Sequence, residues 1–203
     1  MAGFAQRVMG VFAQSGARPA GALMLVMLTM LAGPSSATVI DGDILRQSGS
    51  GQFVKLDTDP PFRVGADTFD DCNLYAFDED QNITLTAPIR VDIGGEMGII
   101  PQGRVVASHY VFFDSLDGIH MGYVYFDAPI LGVAAFRDTM AATDYLANTD
   151  VTYLSLELRG LEQGDYVWID PEDPHRLWVY WAGSSPGDYI RVFTEQSPGA
   201  LAM

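Results

Sequence analysis

Apolar and polar positions alternate with the period of a β-strand through much of this chain. Ile83-Thr84-Leu85-Thr86 and Ile89-Arg90-Val91-Asp92-Ile93 keep that alternation, and Gly94-Gly95, Gly98 and Pro101-Gln102-Gly103 then break it into turns. Two longer runs rich in Val, Tyr and Phe, Arg104 to Asp114 and Ile119 to Asp127, are joined by Ser115-Leu116-Asp117-Gly118 and predict a β-hairpin with a four-residue loop. In that register Phe113 faces His120, Val111 faces Gly122 and His109 faces Val124 on one side, while Tyr110 faces Tyr123 on the other. Both sides are apolar, so the strands are either covered on both faces or present one exposed aromatic platform, and full cover is the default.

Further strands are predicted at Gln52 to Leu56, Asn73 to Phe77, Thr152 to Leu154, Tyr166 to Ile169, Leu177 to Trp181 and Tyr189 to Thr194. Helix formers behind Asp138, a candidate N-cap, predict one short helix before Asn148. The stretch from Thr38 to Gly51 is mixed, with no regular period. Many short strands between closely spaced turns point to an all-β fold: an antiparallel β-sandwich, jelly-roll-like, with one short helix.

The N-terminus follows a different logic. An apolar run from Ala22 to Ala32, preceded by Arg7 and Arg18 and followed by Pro34-Ser35-Ser36-Ala37, has the layout of a secretory signal peptide. The run is about half of the roughly 20 residues a membrane span needs, and small Ser35 and Ala37 suit a cut before Thr38. The expected organisation is therefore a signal peptide over 1–37, one sandwich domain over 38–194 and a flexible tail over 195–203. Membrane contact is expected only during export, and the destination is extracellular or periplasmic.

Net charge is −15, and loss of Arg7 and Arg18 takes the exported chain to about −17. Such a surface repels nucleic acid and anionic lipid, and the remaining arginines and single lysine, Lys55, form no basic stripe. Cys72 stands alone, so no intramolecular disulfide supports the domain, and a buried small apolar role fits it best. The apolar share of 48% leaves enough material for a core without one.

No catalytic signature stands out. His109 and His120 fall about 13 Å apart along the proposed hairpin, His175 sits in a proline-bounded turn, and no zinc-type spacing of His or Cys occurs. Gly-x-Ser-x-Gly on a strand-to-helix turn does not appear, its one spacing match, Gly183 to Gly187, falling in the turn between two predicted strands, and Ser-x-x-Lys is missing, so no catalytic residue is assigned. Hard oxygen ligands do gather in Asp67, Asp70, Asp71, Asp78 and Asp80, in the turn-like setting calcium prefers, although the spacing matches no EF-hand. Calcium is the one cofactor these residues could hold, against the simpler reading of a solvated acidic loop. Aromatic side chains offer a second chemistry, because a ring face packs against the C–H side of a pyranose. Trp178, Tyr180, Tyr110 and Tyr123 are the candidate carbohydrate-binding residues, with alternation placing Trp178 and Tyr180 opposite Leu177, Val179 and Trp181.

The stretches Val64 to Asp70, Val105 to Asp114, Val124 to Leu131 and Ser184 to Val192 resemble secreted bacterial proteins that carry PEP-CTERM sorting tails. The likeness spans most of the chain after the leader and rests on motifs that look structural, so it transfers no active-site residue. Glu195 to Met203 is similar to the opening of such a tail, without its intact Glu-Pro pair, membrane helix or basic cluster. The resemblance implies export beside exopolysaccharide, in a released form. Together these readings predict a secreted, noncatalytic extracellular or surface-matrix protein that binds or supports polysaccharide. The alternatives are a glycan hydrolase working through paired carboxylates and a calcium-stabilised adhesion module.

Overall fold

The computed structural model describes residues 38–196 except Ala66, Leu116, Ser185 and Pro186, so the export segment and all but the first two residues of the tail lie outside the described residues. In chain order the elements are β1 (Val39–Gln47), β2 (Phe53–Lys55), β3 (Phe62–Val64), β4 (Leu74–Asp78), β5 (Ile83–Thr84), β6 (Ile89–Arg90), β7 (Ile93–Gly94) and β8 (Ile99–Ile100). Next come β9 (Val105–Phe113), β10 (Asp117–Phe126), β11 (Ile130–Ala134), α1 (Arg137–Ala142), β12 (Val151–Tyr153), β13 (Tyr166–Ile169), β14 (Arg176–Ser184) and β15 (Asp188–Glu195), with short 3-10 turns at Asp144–Leu146 and Leu156–Leu158.

The strands form a β-sandwich, as the alternation predicts. One sheet is four-stranded in the order β1-β10-β14-β13; the other runs β2-β4-β9-β15-β11-β7, with β5 pairing onto β9. Almost all pairs are antiparallel, the exceptions being β2 with β4 and β12 with β3. Phe113, Phe126, Leu177, Trp181, Ile190 and Val192 fill the space between the sheets. A second core on the far face of the larger sheet packs Tyr75, Phe77, Tyr110, Phe112 and Phe193 under Ile89, Met140 and Leu146 from the covering segments. The larger sheet is therefore covered on both faces and the smaller on one.

That asymmetry overturns the hairpin. β9 pairs with β4 and β15, whereas β10 pairs with β1 and β14, so the two runs belong to different sheets. The connection is a sheet-crossing arch anchored by Asp114, whose buried carboxylate accepts hydrogen bonds from the Phe69 amide at 2.9 Å and the Tyr189 hydroxyl at 2.5 Å. A hairpin turn would leave that carboxylate in water. Phe113 and His120 still meet, with ring centroids 3.7 Å apart, but they do so across the sandwich interior.

Two smaller differences have local causes. The mixed stretch after Thr38 is in fact the edge strand β1, and irregularities between Val39 and Asp41 and between Ile44 and Arg46 break its inside–outside alternation. Gly42 within it sits against the Phe53 ring, where a Cβ would lie 2.5 Å away. The helix starts after Phe136 rather than at Asp138, because Asp92 caps it from outside. The Asp92 carboxylate accepts from the Ala135 amide at 2.7 Å, the Phe136 amide at 3.0 Å and the Thr139 hydroxyl.

A buried charge network ties these coverings to the larger sheet. Arg191 on β15 and Glu79, just after β4, have wholly inaccessible side chains, joined by N–O contacts of 2.6 and 3.0 Å. Glu79 also accepts from Ser108 Oγ at 2.7 Å and Tyr153 Oη at 2.6 Å. The other side of the Arg191 guanidinium donates to the Met140 carbonyl at 3.0 Å and to Thr143 and Asp144 at 3.1 Å. Arg159 grips Asp144 with two bonds of 2.7 and 2.6 Å. Burial alone would lower the Arg191 pKa, but the Glu79 charge and hydrogen bonds carry it above its usual value. Glu79→Ala strands the guanidinium in a dry interior and is expected to cost about 3–5 kcal/mol in urea unfolding. An unchanged denaturation midpoint would show that the network contributes nothing to stability.

Candidate functional site

The four-stranded sheet turns its free face outward, and that face is aromatic. Strand alternation sends Leu177, Val179 and Trp181 fully into the core and leaves Arg176, Trp178 and Tyr180 on the outside. Registers across the sheet then set three ranks side by side. Asp43, Tyr123, Trp178 and Trp168 form one; Arg46, Met121, Tyr180 and Tyr166 form the next; Asp41, Tyr125 and Arg176 form the third. Trp168 and Trp178 run nearly parallel, 14° apart in plane with centroids 6.0 Å apart. Tyr123 meets Trp178 edge-on at 5.4 Å, and Tyr166 lies 6.1 Å from Tyr180. Tyr166 is 64% exposed and Trp168 36% exposed, both on the edge strand β13.

Polar side chains hold these rings in place. Trp178 donates its indole N–H to Asp170 at 2.9 Å, and that bond is the leading cause holding the Asp170 carboxyl below its usual range. The Arg176 guanidinium lies 5.5–5.8 Å from the Tyr123, Tyr125 and Trp178 ring centres and pairs with Asp173 at 3.2 Å and Asp170 at 3.5 Å. The result is an ordered aromatic surface with an acidic rim of Asp41, Asp43, Asp170 and Asp173.

Three of the four aromatic residues singled out from the sequence share this face: Trp178, Tyr180 and Tyr123. Tyr110 does not. It is 2% exposed in the second core, beneath Arg191, because β9 belongs to the other sheet and is covered on both sides. Trp168, Tyr166 and Arg176 complete the face, and the period-two pattern of β13 and β14 was the signal that could have placed them there.

The five candidate calcium ligands are dispersed. Asp71 accepts the Tyr75 hydroxyl at 2.6 Å and the Asn73 side chain at 3.0 Å, and burial together with Asp71 pushes the Tyr75 phenol up to about 12. Asp78 holds His109 Nδ1 at 2.8 Å, Lys55 Nζ at 2.8 Å and the Val39 amide at 2.9 Å. Burial opposes its charge, yet these partners hold its pKa far below the usual carboxylate range. Asp67 and Asp70 occupy left-handed backbone positions in the bend after β3, and Asp80 follows Glu79 beyond β4. Among the described residues no three His, Cys, Asp or Glu side chains converge as a metal-holding group.

Two arrangements invite a catalytic reading, and accessibility argues against both. His109 links Asp78 to the Thr194 hydroxyl, 2.9 Å from Nε2, in the order base-orienter, base and hydroxyl; but His109 and Thr194 are wholly buried, so no substrate reaches them. Asp188 and Asp165 form a close acidic pair at the start of β15, 2% and 9% exposed. Asp165 accepts the Ala182 amide at 2.9 Å and the Glu162 amide at 2.7 Å. Burial first, then the charge and hydrogen bond of Asp165, push the Asp188 carboxyl up to about 9. Both carboxyls are buried, which leaves no access for a sugar and an attacking water.

That pair makes stability depend on pH. The unfolded Asp188 releases its proton near pH 3.9 and the folded one near pH 9, so between them folding takes up a proton. The contribution is intact below about pH 4, is lost progressively as pH rises and is exhausted above about pH 9. Asp188→Asn keeps a donor toward Asp165 without the proton uptake. It is expected to melt higher than the wild type at pH 8, with the gap closing at pH 4. Parallel melting curves across this range would rule that proton uptake out.

A concave feature lies elsewhere, a cleft of about 690 Å3 between residues 86–92 and 136–145. Of its two carboxylates, Asp92 is committed to the start of α1 and Asp138 faces water beside Arg137.

No family model matches the chain, and no curated protein or solved structure proves significantly similar to it.

Proposed function

We propose that this chain is a secreted, noncatalytic matrix protein that binds extracellular polysaccharide through the outer face of its four-stranded sheet. The observation that carries the reading is the ranked aromatic surface of Trp168, Trp178, Tyr180, Tyr166 and Tyr123, partly or wholly exposed on strands whose opposite sides pack into the core. Folding alone would favour polar residues there. Flat rings supply area to the C–H faces of successive sugars, and the Asp41, Asp43, Asp170 and Asp173 carboxylates around them accept hydroxyl protons. The acidic rim favours a neutral polymer over a uronate, since like charges repel across a partly dry contact.

Export is supported by the basic, apolar and small-residue layout of the first 37 residues, and the resemblance to PEP-CTERM-tailed proteins points to the same exopolysaccharide setting. The lone Cys72 fits a domain held together by packing and buried ion pairs instead of disulfides.

A glycan-array screen and affinity electrophoresis through neutral polysaccharides test this directly. The paired change Trp168→Ala and Trp178→Ala is expected to lower affinity by about 2 kcal/mol, roughly 30-fold, because ring anchors dominate such contacts. Retention unaffected by the pair, or release of new reducing ends from the polymer, would defeat the reading.

A further inference from the structure

The aromatic face is not the only place where rings stand in water. Phe136 and Tyr145 are 53% and 56% exposed, and both line the cleft between residues 86–92 and 136–145. At about 690 Å3 the cleft falls within the range of roughly 300–1,000 Å3 typical of small-ligand sites. It is also firmly built. Asp92 stands on one wall and holds the start of the other by its bonds to Ala135, Phe136 and Thr139. Beneath lie Ile89 and Met140 of the second core, nearly or wholly inaccessible. The walls are thus set before any ligand arrives, which reduces the ordering cost of binding.

The chemistry of the lining matches a hydroxylated ring. Phe136 and Tyr145 offer apolar faces, Thr86 a hydroxyl, Arg90 a guanidinium from β6 and Asp138 a carboxylate from α1. With the Asp92 carboxylate engaged by the start of α1, the cation of Arg90 and the carboxylate of Asp138 on facing segments suit a ligand that is neutral overall yet donates and accepts hydrogen bonds at several points. A sugar residue has those properties, and a purely apolar ligand would satisfy neither charged group.

Position gives the cleft its consequence. It lies over the second core, on the side of the larger sheet that faces away from the smaller sheet, whereas the aromatic ranks lie on the outer face of the smaller sheet. The whole sandwich separates them. We infer that the cleft is a second saccharide site and that the protein bridges two polysaccharide chains, one on each side; the bridging rests on polysaccharide binding by the aromatic platform. Two weak sites facing opposite ways cannot reinforce each other on one straight chain, so what they produce is crosslinking.

Light scattering from the purified protein mixed with hydroxyethylcellulose or xyloglucan, with affinity electrophoresis in the same polymers, tests the inference. Scattering is expected to rise with protein, peak, and fall again at excess, as each polymer site acquires its own protein. Phe136→Ala with Tyr145→Ala, both at exposed positions, is expected to abolish the peak while electrophoretic retardation persists through the aromatic face. Tyr145→Phe alone keeps the ring and is expected to keep the peak. A double variant that scatters like the wild type, or a wild type that is retarded without ever scattering, overturns the bridging role and leaves the platform standing. Unchanged retardation of the Trp168→Ala, Trp178→Ala protein overturns the platform instead, and absence of retardation in both polymers overturns both.

Discussion

The buried pairing of Arg191 with Glu79 is the constraint around which this fold is arranged. A guanidinium in a dry interior is tolerable only when its donors are matched, and here Glu79, Asp144, Thr143 and the Met140 carbonyl take them up. Those partners come from the end of β4 and from the helix and turn that cover the larger sheet. Meeting one charge therefore brings three distant stretches together. The second core forms beneath them because its aromatic side chains are already on that face of β4, β9 and β15.

Covering one sheet on both sides has a consequence for the other. The covering segments lie over the larger sheet, so the smaller sheet meets the core with one face and water with the other. Its outward residues are freed from the demands of packing, yet they are rings. Their order comes from cross-strand registers, from the Trp178–Asp170 bond and from Arg176 lying among three aromatic faces. Preorganised apolar area of this kind is what a weakly binding, extended polymer requires, since little ordering cost is left to meet.

Strands with clean alternation were legible in the residues. Tyr166–Ile169 is found with the bounds the pattern predicts, and Trp178 and Tyr180 stand opposite Leu177, Val179 and Trp181 as the period of two requires. Partnership was not legible. Two adjacent apolar runs joined by a short polar loop fit a hairpin or an arch equally well, and the choice rests on Asp114, whose interior partners Phe69 and Tyr189 lie far away in sequence. Tyr110 followed that choice and moved from the candidate face into the second core. β1 escaped notice because two irregularities shift which of its residues point inward.

The sequence by itself determined that the chain makes a strand-built sandwich without an intramolecular disulfide, that its net charge is strongly negative, and which side of β13 and β14 each aromatic residue takes. Those properties depend on composition and on the local period, which neighbouring residues share. Only the tertiary structure decided which strands share a sheet, which aromatic face stays wet, how Arg191 and Glu79 find each other 112 positions apart, and that a cleft opens on the far side. Such pairings are settled by burial and charge balance among residues distant along the chain, and no local pattern records them.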